Sequence, residues 1–253
     1  MEQYLDNKNI LVTGASRGIG RAIAEYLAKA GANLAIHYHQ NIGAAKEVLD
    51  ECGNKSFILQ ADLSNRNEVD KLFHKVVEEF ATVDVIINNA GIAINSDPLG
   101  DDIQWTDDWL KTMEINLNAT GYLCKKAISH FLEKTIRGKI INISSRAAFR
   151  GDTKDYLAYA ASKGGVVSLT RSIARAFGKD GIVAFNVAPG FVKTDMAQQF
   201  FDEYGEDYAL NDLALDRLTH PEDIAPFIRF LASGQADHAT GDTFHINAGS
   251  YLH

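Results

Sequence analysis

Short apolar runs alternate with segments of helical periodicity along the whole chain. The runs occupy 10–12, 34–36, 57–59, 85–87, 140–143, 183–187 and 243–247. Most of them are continuously apolar, which is typical of parallel strands covered by helices on both faces. We therefore predict a doubly wound α/β fold of the Rossmann type, with residues 1–253 forming a single domain. In such folds the ligand binds beyond the carboxyl ends of the strands, so functional residues are expected directly after them.

Composition narrows the classes of protein that fit this pattern. The chain has 46% hydrophobic and 23% charged residues and a formal net charge of -8, with no basic stripe for nucleic acid. Cys52 and Cys124 lack the spacing of a metal or disulfide framework and are expected to be small buried side chains. The first residues lack a basic region followed by an apolar run, and no run is long enough to span a bilayer. We expect a cytoplasmic protein that binds neither nucleic acid nor membranes, and we predict no metal site.

A glycine-rich turn follows the first predicted strand and opens a helix. It reads Thr13 to Gly20 with glycines in the spacing G-x-x-x-G-x-G. Glycines let a backbone approach a pyrophosphate closely, and a helix amino terminus offers it unpaired N–H groups. A turn of this kind alone could also be only a tight connection. Its place between a strand and an amphipathic helix favours dinucleotide binding.

The end of the second predicted strand bears on the choice of cofactor. In dinucleotide folds a carboxylate there binds the ribose of NAD, whereas a nearby arginine accommodates the 2'-phosphate of NADP. Here Tyr38 and His39 occupy the position and no carboxylate is present, while Arg17 lies in the glycine-rich turn. The sequence therefore favours NADP(H) over NAD(H). His39 either adds a second contact or is a solvated surface residue.

These features, together with marks further along the chain, resemble the short-chain dehydrogenase/reductase family. The marks are the glycine turn, Asp62-Leu63, Asn88-Asn89-Ala90-Gly91, Asn116, Ser145, Tyr159, Lys163, Pro189-Gly190 and Thr194. The resemblance implies a catalytic group of Asn116, Ser145, Tyr159 and Lys163. It further implies a cofactor site lined by Gly14, Ser16, Arg17, Gly18, Ile19, Gly20, Tyr38, His39, Asp62, Leu63, Asn89, Ala90, Gly91, Tyr159, Lys163, Pro189, Gly190, Val192 and Thr194, with Asn88 also beside the cleft.

Tyr159 and Lys163 also carry a chemical argument of their own. They lie four residues apart on a helix predicted over 158–177, so their side chains share one face. A tyrosine can protonate a carbonyl oxygen as hydride arrives, and a neighbouring lysine is expected to lower the pKa of its hydroxyl. Ser145 can hydrogen-bond the same oxygen, with Ser144 as its rival. Tyr156 lacks a lysine one turn later and is not favoured.

The substrate is less well defined by the sequence. A segment at about 191–220 has no strand character and is rich in aromatics, Phe200, Phe201, Tyr204 and Tyr208. We expect it to form a lid over a partly apolar substrate, or else its aromatics only pack the lid against the domain. Within the family, segments 186–191, 194–196 and 240–243 resemble 3-oxoacyl-acyl-carrier-protein reductases.

Three functions stay open at this point. The first is an NADPH-dependent 3-oxoacyl reductase acting on an acyl thioester, with acidic acyl carrier protein as a partner. A docking surface for that carrier requires basic residues beside the cleft, for which Arg137 and Lys179 are the candidates. The second is reduction or oxidation of a free ketone, sugar or polyol, and the third is a non-catalytic NADP-binding sensor. The resemblance also implies a homotetramer that packs through the helices around Asn116 and Tyr159.

Overall fold

Seven parallel strands form one sheet within the part of the chain that the structure describes. This computed structural model describes residues 5–53 and 55–252, and the side chains at 199, 203, 204 and 206 lie outside the description. The strands are β1 (Asn9–Val12), β2 (Asn33–Tyr38), β3 (Phe57–Gln60), β4 (Val85–Asn88), β5 (Lys139–Ile143), β6 (Val183–Pro189) and β7 (Thr243–Ile246). Their order, β3-β2-β1-β4-β5-β6-β7, reverses between β1 and β4 and confirms the predicted doubly wound sheet.

Helices connect the strands and cover both faces of the sheet. They are α1 (Gly18–Ala28), α2 (Ile42–Cys52), α3 (Arg66–Phe80), α4 (Asp102–Met113), α5 (Ala119–Lys134), α6 (Ala147–Arg150), α7 (Leu157–Phe177), α8 (Asp195–Tyr204), α9 (Glu206–Leu210) and α10 (Pro221–Ala232). Short 3-10 turns lie at Lys154–Tyr156, Gly178–Asp180 and Asp237–Ala239. On one face α1 packs against α10, and on the other α3 packs against α5.

The two faces have separate hydrophobic cores because the central strands are buried on both sides. Leu27 of α1 and Ile228 of α10 belong to one core, and Leu72 of α3 and Phe131 of α5 belong to the other. The edge strands β3 and β7 are mostly only half-buried. Continuous apolar runs therefore mark the central strands correctly, and the burial that they require is supplied by the flanking helices.

A row of asparagines crosses the carboxyl ends of the central strands. Asn88, Asn142 and Asn186 are in register on β4, β5 and β6. The Asn88 amide donates to Asn142 Oδ1 at 2.8 Å, and Asn142 donates to Thr170 Oγ1 of α7 at 2.8 Å. The Asn186 amide donates to Ser144 Oγ at 2.8 Å. These buried bonds fix the strand ends and α7 relative to one another.

Two features interrupt the regular pattern on the side where the strands end. A π-helical turn at Glu114–Asn118 joins α4 and α5 into one continuous helical run. The 191–220 segment contains α8 and α9, and its two ends meet where Val192 pairs with Thr219. Among the described residues, no helix combines the length and the apolar character that crossing a bilayer requires.

The packing of α5 predicts the effect of a single added methyl group. Gly138 precedes β5, and a Cβ atom there would lie 2.1 Å from the ring of Phe131, which is 1% exposed. We expect Gly138→Ala to lower the free energy of unfolding in urea by about 1–3 kcal/mol, since the overpacked ring must move. Gly178→Ala is the matched control, because its backbone is helical and its Cβ would meet nothing within 4 Å. Equal stability of the two variants would contradict this account.

Candidate active site

A cleft of about 380 Å³ lies beyond the carboxyl ends of the strands, where the fold predicts a ligand. Its volume is within the range of small-molecule sites, roughly 300–1,000 Å³. Most of the residues predicted for the site line it: Gly14, Ser16, Arg17, Gly18, Ile19, His39, Asp62, Leu63, Asn89, Ala90, Gly91, Ser145, Tyr159, Lys163, Pro189, Gly190, Val192 and Thr194. Residues from distant parts of the sequence thus converge on one space.

Four predicted residues lie behind the described lining of the cleft. Tyr38 is 5% exposed within β2, so the cleft wall there is formed by His37 and His39 instead. Asn88 is bonded to Asn142 inside the sheet, and Asn89 takes the place beside the cleft. Gly20 is covered by the turn itself, and Asn116 is fully buried beneath the site. The contribution of these four to the site is therefore through packing and hydrogen bonds.

The glycine-rich turn is held against the loop that follows β4. Thr13 Oγ1 accepts hydrogen bonds from the N–H groups of Asn89 and Ala90, both at 3.0 Å. Gly14 adopts a φ of 62°, and a Cβ atom there would lie 2.9 Å from the Ala90 backbone. Both the left-handed backbone and the close approach require glycine at this position.

The open amino terminus of α1 faces the cleft. Its cap residue, Arg17, makes no side-chain cap hydrogen bond, and no acidic residue occupies the first turn. Unpaired N–H groups and the positive end of the helix dipole are therefore available to an anion. The residues present thus fit the pyrophosphate of a dinucleotide.

His37 is a structural residue of the site that sequence reasoning missed. Its Nδ1 accepts from the Gly14 N–H at 3.0 Å, and its Nε2 lies 3.0 Å from the carbonyl oxygen of Ala61. Its own carbonyl accepts from Ala15 N–H at 2.8 Å. Because Nδ1 accepts, the proton of the neutral ring belongs on Nε2. Burial lowers the pKa of His37 to about 4, so the ring stays neutral while it holds the turn.

Ser145, Tyr159 and Lys163 meet at the inner end of the cleft. The side chains of Ser145 and Tyr159 are hydrogen-bonded to each other. Lys163 Nζ lies 5.9 Å from the centre of the Tyr159 ring and donates to the carbonyl oxygen of Ile143 at 2.9 Å. Helix α7 begins at Leu157, so Tyr159 and Lys163 occupy successive turns of one face, as predicted.

The two serines that follow β5 have different environments. Ser144 Oγ lies inside the sheet, where it donates to the carbonyl oxygen of Val187 at 3.3 Å. Ser145 Oγ reaches Tyr159 and accepts from the Ala147 N–H at 3.1 Å. Although Ser144 also borders the cleft, only Ser145 of the two is hydrogen-bonded to Tyr159 in the described structure. Ser145 is therefore the stronger candidate for contact with a substrate oxygen.

The pKa of Tyr159 differs from the sequence expectation. Burial raises it above the ordinary tyrosine value, and the hydrogen bond from Ser145 opposes this only in part. Burial also lowers the pKa of Lys163, to about 8. The pKa of Tyr159 is thus not lowered by Lys163, contrary to the expectation from the sequence. At neutral pH Tyr159 therefore carries its proton.

Asn116 joins three segments beneath the cleft. Its Oδ1 accepts from the Ile92 N–H at 2.8 Å, and its amide donates to the Ile92 carbonyl at 2.9 Å. The same amide donates to Ser162 Oγ at 3.0 Å, and Ser162 in turn donates to the carbonyl oxygen of Tyr159 at 2.8 Å. The π-helical turn places this side chain between the loop after β4 and α7.

The outer end of the cleft contains the residues proposed for cofactor choice. Arg17 forms an exposed ion pair with Asp195 at 3.2 Å, and both side chains are about three-quarters exposed at 74% and 73%. His39 borders the same end, with its Nε2 3.9 Å from the Asp62 carboxylate. Because exposed ion pairs contribute little, Arg17 can exchange Asp195 for another anion at small cost.

The aromatics of the 191–220 segment both line the cleft and pack together. Phe200 lies 4.8 Å from Phe191 between ring centres and 6.4 Å from Tyr156. Phe200 and Tyr208 border the cleft, whereas Phe201 is outside its described lining and packs in the cluster behind it. Tyr204 lies outside the described side chains. The two interpretations of these aromatics are therefore compatible.

Two expectations about charged residues need correction. Arg137 precedes β5 and Lys179 precedes β6, so both lie at the edge of the sheet opposite to the cleft. Arg137 and Lys179 therefore do not lie beside the cleft of their own chain. Arg146 and Arg150, which sequence reasoning missed, border the cleft instead. The sequence could have indicated Arg146, because this residue directly follows Ser145 at the end of a buried strand.

Comparisons with known proteins cover the whole cleft. The model of a family described as enoyl-(acyl carrier protein) reductase matches residues 14–251. A 3-oxoacyl-(acyl-carrier-protein) reductase from Staphylococcus epidermidis is 38% identical over 97% of this chain and 100% of its own length. One from Synechocystis is 37% identical over 96% of both chains. The structure of a short chain dehydrogenase from Burkholderia cenocepacia in complex with NADP has a TM-score of 0.89 and 30% identity, covering 98% of this chain and 99% of that one.

The buried His37 ring predicts a loss of stability in mild acid. The pKa of His37 in the folded chain is about 4, below the ordinary value of 6.5. Between these two values the ring is protonated in the unfolded chain and neutral in the folded chain. The contribution of the neutral ring to the free energy of unfolding is fully present above about pH 6.5 and is lost as the pH drops toward 4. The loss amounts to roughly 2 kcal/mol at about pH 5. Between about pH 7.5 and pH 5, we expect the free energy of unfolding to fall by roughly 2 kcal/mol less in His37→Asn than in the parent, because asparagine does not titrate.

Urea unfolding at the two pH values measures this difference. His74→Asn is the matched control, because the His74 side chain is 75% exposed. If His37→Asn and the parent lose the same free energy of unfolding on acidification, the assigned protonation state of His37 is wrong.

Proposed function

The chain belongs to the short-chain dehydrogenase/reductase family of oxidoreductases, and from this we propose that it is an NADPH-dependent reductase in which Tyr159 protonates the carbonyl oxygen of its substrate. The observation that carries the proposal is the hydrogen bond between Ser145 and Tyr159 at the inner end of the cleft, with Lys163 beside the ring. Two hydroxyls directed at one point suit a reacting oxygen atom. When bound, the nicotinamide supplies the hydride.

The proposed proton transfer runs from Tyr159 Oη to the substrate oxygen. Ser145 donates a hydrogen bond to that oxygen and stabilises the negative charge that develops there. Lys163 is close enough to stabilise the phenolate that Tyr159 leaves behind. Asn116 holds the loop at Ile92 and the first turns of α7, so that these groups keep their separation. A role for Asn116 in relaying protons to Lys163 is part of the proposal.

The cleft supports a proposed binding mode for the cofactor. The turn from Gly14 to Gly20 would hold the pyrophosphate at the start of α1, and Asp62 and Leu63 would flank the adenine. Lys163 would hold the nicotinamide ribose. The remaining predicted contacts line the cleft between these two ends: Asn89, Ala90, Gly91, Pro189, Gly190, Val192 and Thr194.

NADP(H) is proposed over NAD(H) because of the outer end of the cleft. Arg17 and His39 border it, and the residue at the end of β2, Tyr38, carries no charge that would repel a 2'-phosphate. Arg17 is highly exposed, and its ion pair among the described residues is with another exposed side chain, Asp195. It is therefore free to form a forked, charge-assisted contact with phosphate.

The substrate class proposed first is a 3-oxoacyl thioester, as in the names of the relatives from Staphylococcus epidermidis and Synechocystis. A free ketone, sugar or polyol is the alternative, since the same catalytic residues serve both. Acyl carrier protein as the carrier is a weaker part of the proposal, because Arg137 and Lys179 lie away from the cleft of their own chain. The homotetramer and the cytoplasmic location stay predictions.

Replacing the proposed acid tests the core of this proposal. We expect Tyr159→Phe to lower kcat/KM for ketone reduction by roughly 10²-fold or more, because the proton donor is lost. NADPH binding, measured by its fluorescence, should stay within threefold of the parent. Tyr26→Phe, in α1 beside Arg229 and outside the described lining of the cleft, is the control for a lost hydroxyl. Activity of Tyr159→Phe within threefold of the parent would remove Tyr159 from the mechanism.

The same assay separates the substrate classes. A 3-oxoacyl N-acetylcysteamine thioester and simple free ketones are offered to the parent enzyme with NADPH. Turnover of ketones without turnover of the thioester would rule out the first class and leave the alternative.

Replacing Arg17 tests the cofactor assignment. We expect Arg17→Gln to raise the KM for NADPH by about tenfold or more and to leave the KM for NADH unchanged, since one charge-assisted phosphate contact is lost. Arg21→Gln is the matched control, because Arg21 lies on the same helix, is paired with Glu25 and Glu47, and is outside the described lining of the cleft. An equal effect of Arg17→Gln on both cofactors would sink the 2'-phosphate contact.

A further inference from the structure

A buried arginine borders the cleft next to the proposed catalytic serine. Arg146 follows Ser145 directly and is only 7% exposed, yet it forms part of the cleft wall. Its backbone N–H donates to the carbonyl oxygen of Pro189 at 2.9 Å, which anchors it between β5 and β6. Its guanidinium carbon lies 4.2 Å from the centre of the Phe191 ring. The side chain is therefore held from both ends beside the reaction centre.

The hydrogen-bonding capacity of Arg146 is only partly used. Its NH1 is hydrogen-bonded to Asp212, and Arg150 is hydrogen-bonded to the same Asp212 oxygen. One carboxylate thus serves two guanidinium groups. Asp152 also borders the cleft and interacts electrostatically with both arginines, while its Oδ1 accepts from the Thr153 backbone N–H.

The other N–H groups of Arg146 have no partner among the described residues. Burial of a guanidinium is costly unless its charge and its donors are matched, and here the donors that remain border an open cleft. A ligand that enters the cleft can therefore complete the pairing that the protein leaves open.

We propose that Arg146, supported by Arg150, forms a subsite for a carboxylate on the substrate, a few atoms from the carbonyl that is reduced. This inference rests on the proposed function, because it takes Ser145 and Tyr159 as the position of the reacting oxygen. A substrate with such a carboxylate is a free oxo acid, so the inference favours the alternative substrate class, a free ketone, over the 3-oxoacyl thioester. The planar guanidinium fork matches the two oxygens of a carboxylate. The aromatic wall of Phe191, Phe200 and Tyr156 is suited to the apolar body of the same molecule.

A full negative charge fits this subsite better than a neutral carbonyl. Two arginines share one Asp212 carboxylate, and a second carboxylate from the substrate would give each guanidinium its own acceptor. Because Asp212 lies on the 191–220 segment, the substrate carboxylate would also compete with it for Arg146. Weakening Asp212 should therefore strengthen the binding of an acidic substrate.

Matched acids and esters test the subsite. The probes are phenyl ketones that carry a carboxylate one, two or three carbons from the ketone, each beside its methyl ester. Binding to the full chain with NADP⁺ present is measured by calorimetry, and reduction is measured with NADPH. In the parent we expect at least one acid to bind about tenfold or more tightly than its ester, as one charge-assisted pair predicts.

Two variants separate a binding role from a structural one. Arg146→Met should abolish the preference for the acid and leave ester binding within threefold of the parent, whereas Asp212→Asn should increase the preference. Arg229→Met is the matched control, since Arg229 also stacks on an aromatic ring, that of Tyr26, at 5.4 Å. Equal binding of acid and ester in the parent overturns the proposal. So does an equal loss of both in Arg146→Met, which would show that Arg146 only supports the fold or contacts a neutral carbonyl.

The binding measurement and the turnover measurement test the subsite and the proposed function separately. If calorimetry shows the preference for the acid but no ketone is reduced, the reductase proposal fails and the carboxylate subsite stands. If ketones are reduced and no acid is preferred, only the subsite fails.

Discussion

The geometry of the site depends on the buried amide of Asn116. Both oxygen and nitrogen of this side chain are used, because it pairs with the N–H and the carbonyl of Ile92 and also reaches Ser162. A Cβ atom at Gly91 would lie 3.2 Å from both Asn116 Oδ1 and Lys163 Nζ. The loop after β4, the π-helical turn and α7 therefore meet at one point, where a methyl group on Gly91 would be in tight contact with both side chains. Loss of this amide would leave the N–H and the carbonyl of Ile92 without these partners and would remove the hydrogen bond to Ser162 Oγ.

The electrostatic potential in the cleft depends on a few positive groups that are buried or lie at a helix end. Lys163 is 4% exposed, and its described hydrogen bond is to a backbone carbonyl. The start of α1 adds a positive dipole end, and Arg146 shares its carboxylate with a second arginine. The acidic net charge of the chain thus gives no guide to the potential inside the site. Positive groups thus occur at several points along the cleft, together with the carboxylates of Asp62, Asp152 and Asp195.

Much of the fold and of the site could be predicted from the sequence because both depend on local patterns. Continuous apolar runs gave the strands, and the four-residue separation of Tyr159 and Lys163 gave a shared helix face. His37, Arg146 and the environment of Tyr38 could not be predicted, since each depends on which strands become neighbours. Likewise, the distance of Arg137 and Lys179 from the cleft is a property of the sheet, in which opposite strand ends lie at opposite edges.

The pKa of Tyr159 shows how a local argument fails when burial is added. A lysine one turn away favours the phenolate, but the same packing that brings Lys163 close removes water from the hydroxyl and from the lysine itself. Burial wins, so the pKa of Tyr159 rises and that of Lys163 falls to about 8. At neutral pH Tyr159 therefore keeps its proton, and the local argument from helix spacing alone gives the wrong direction for its pKa.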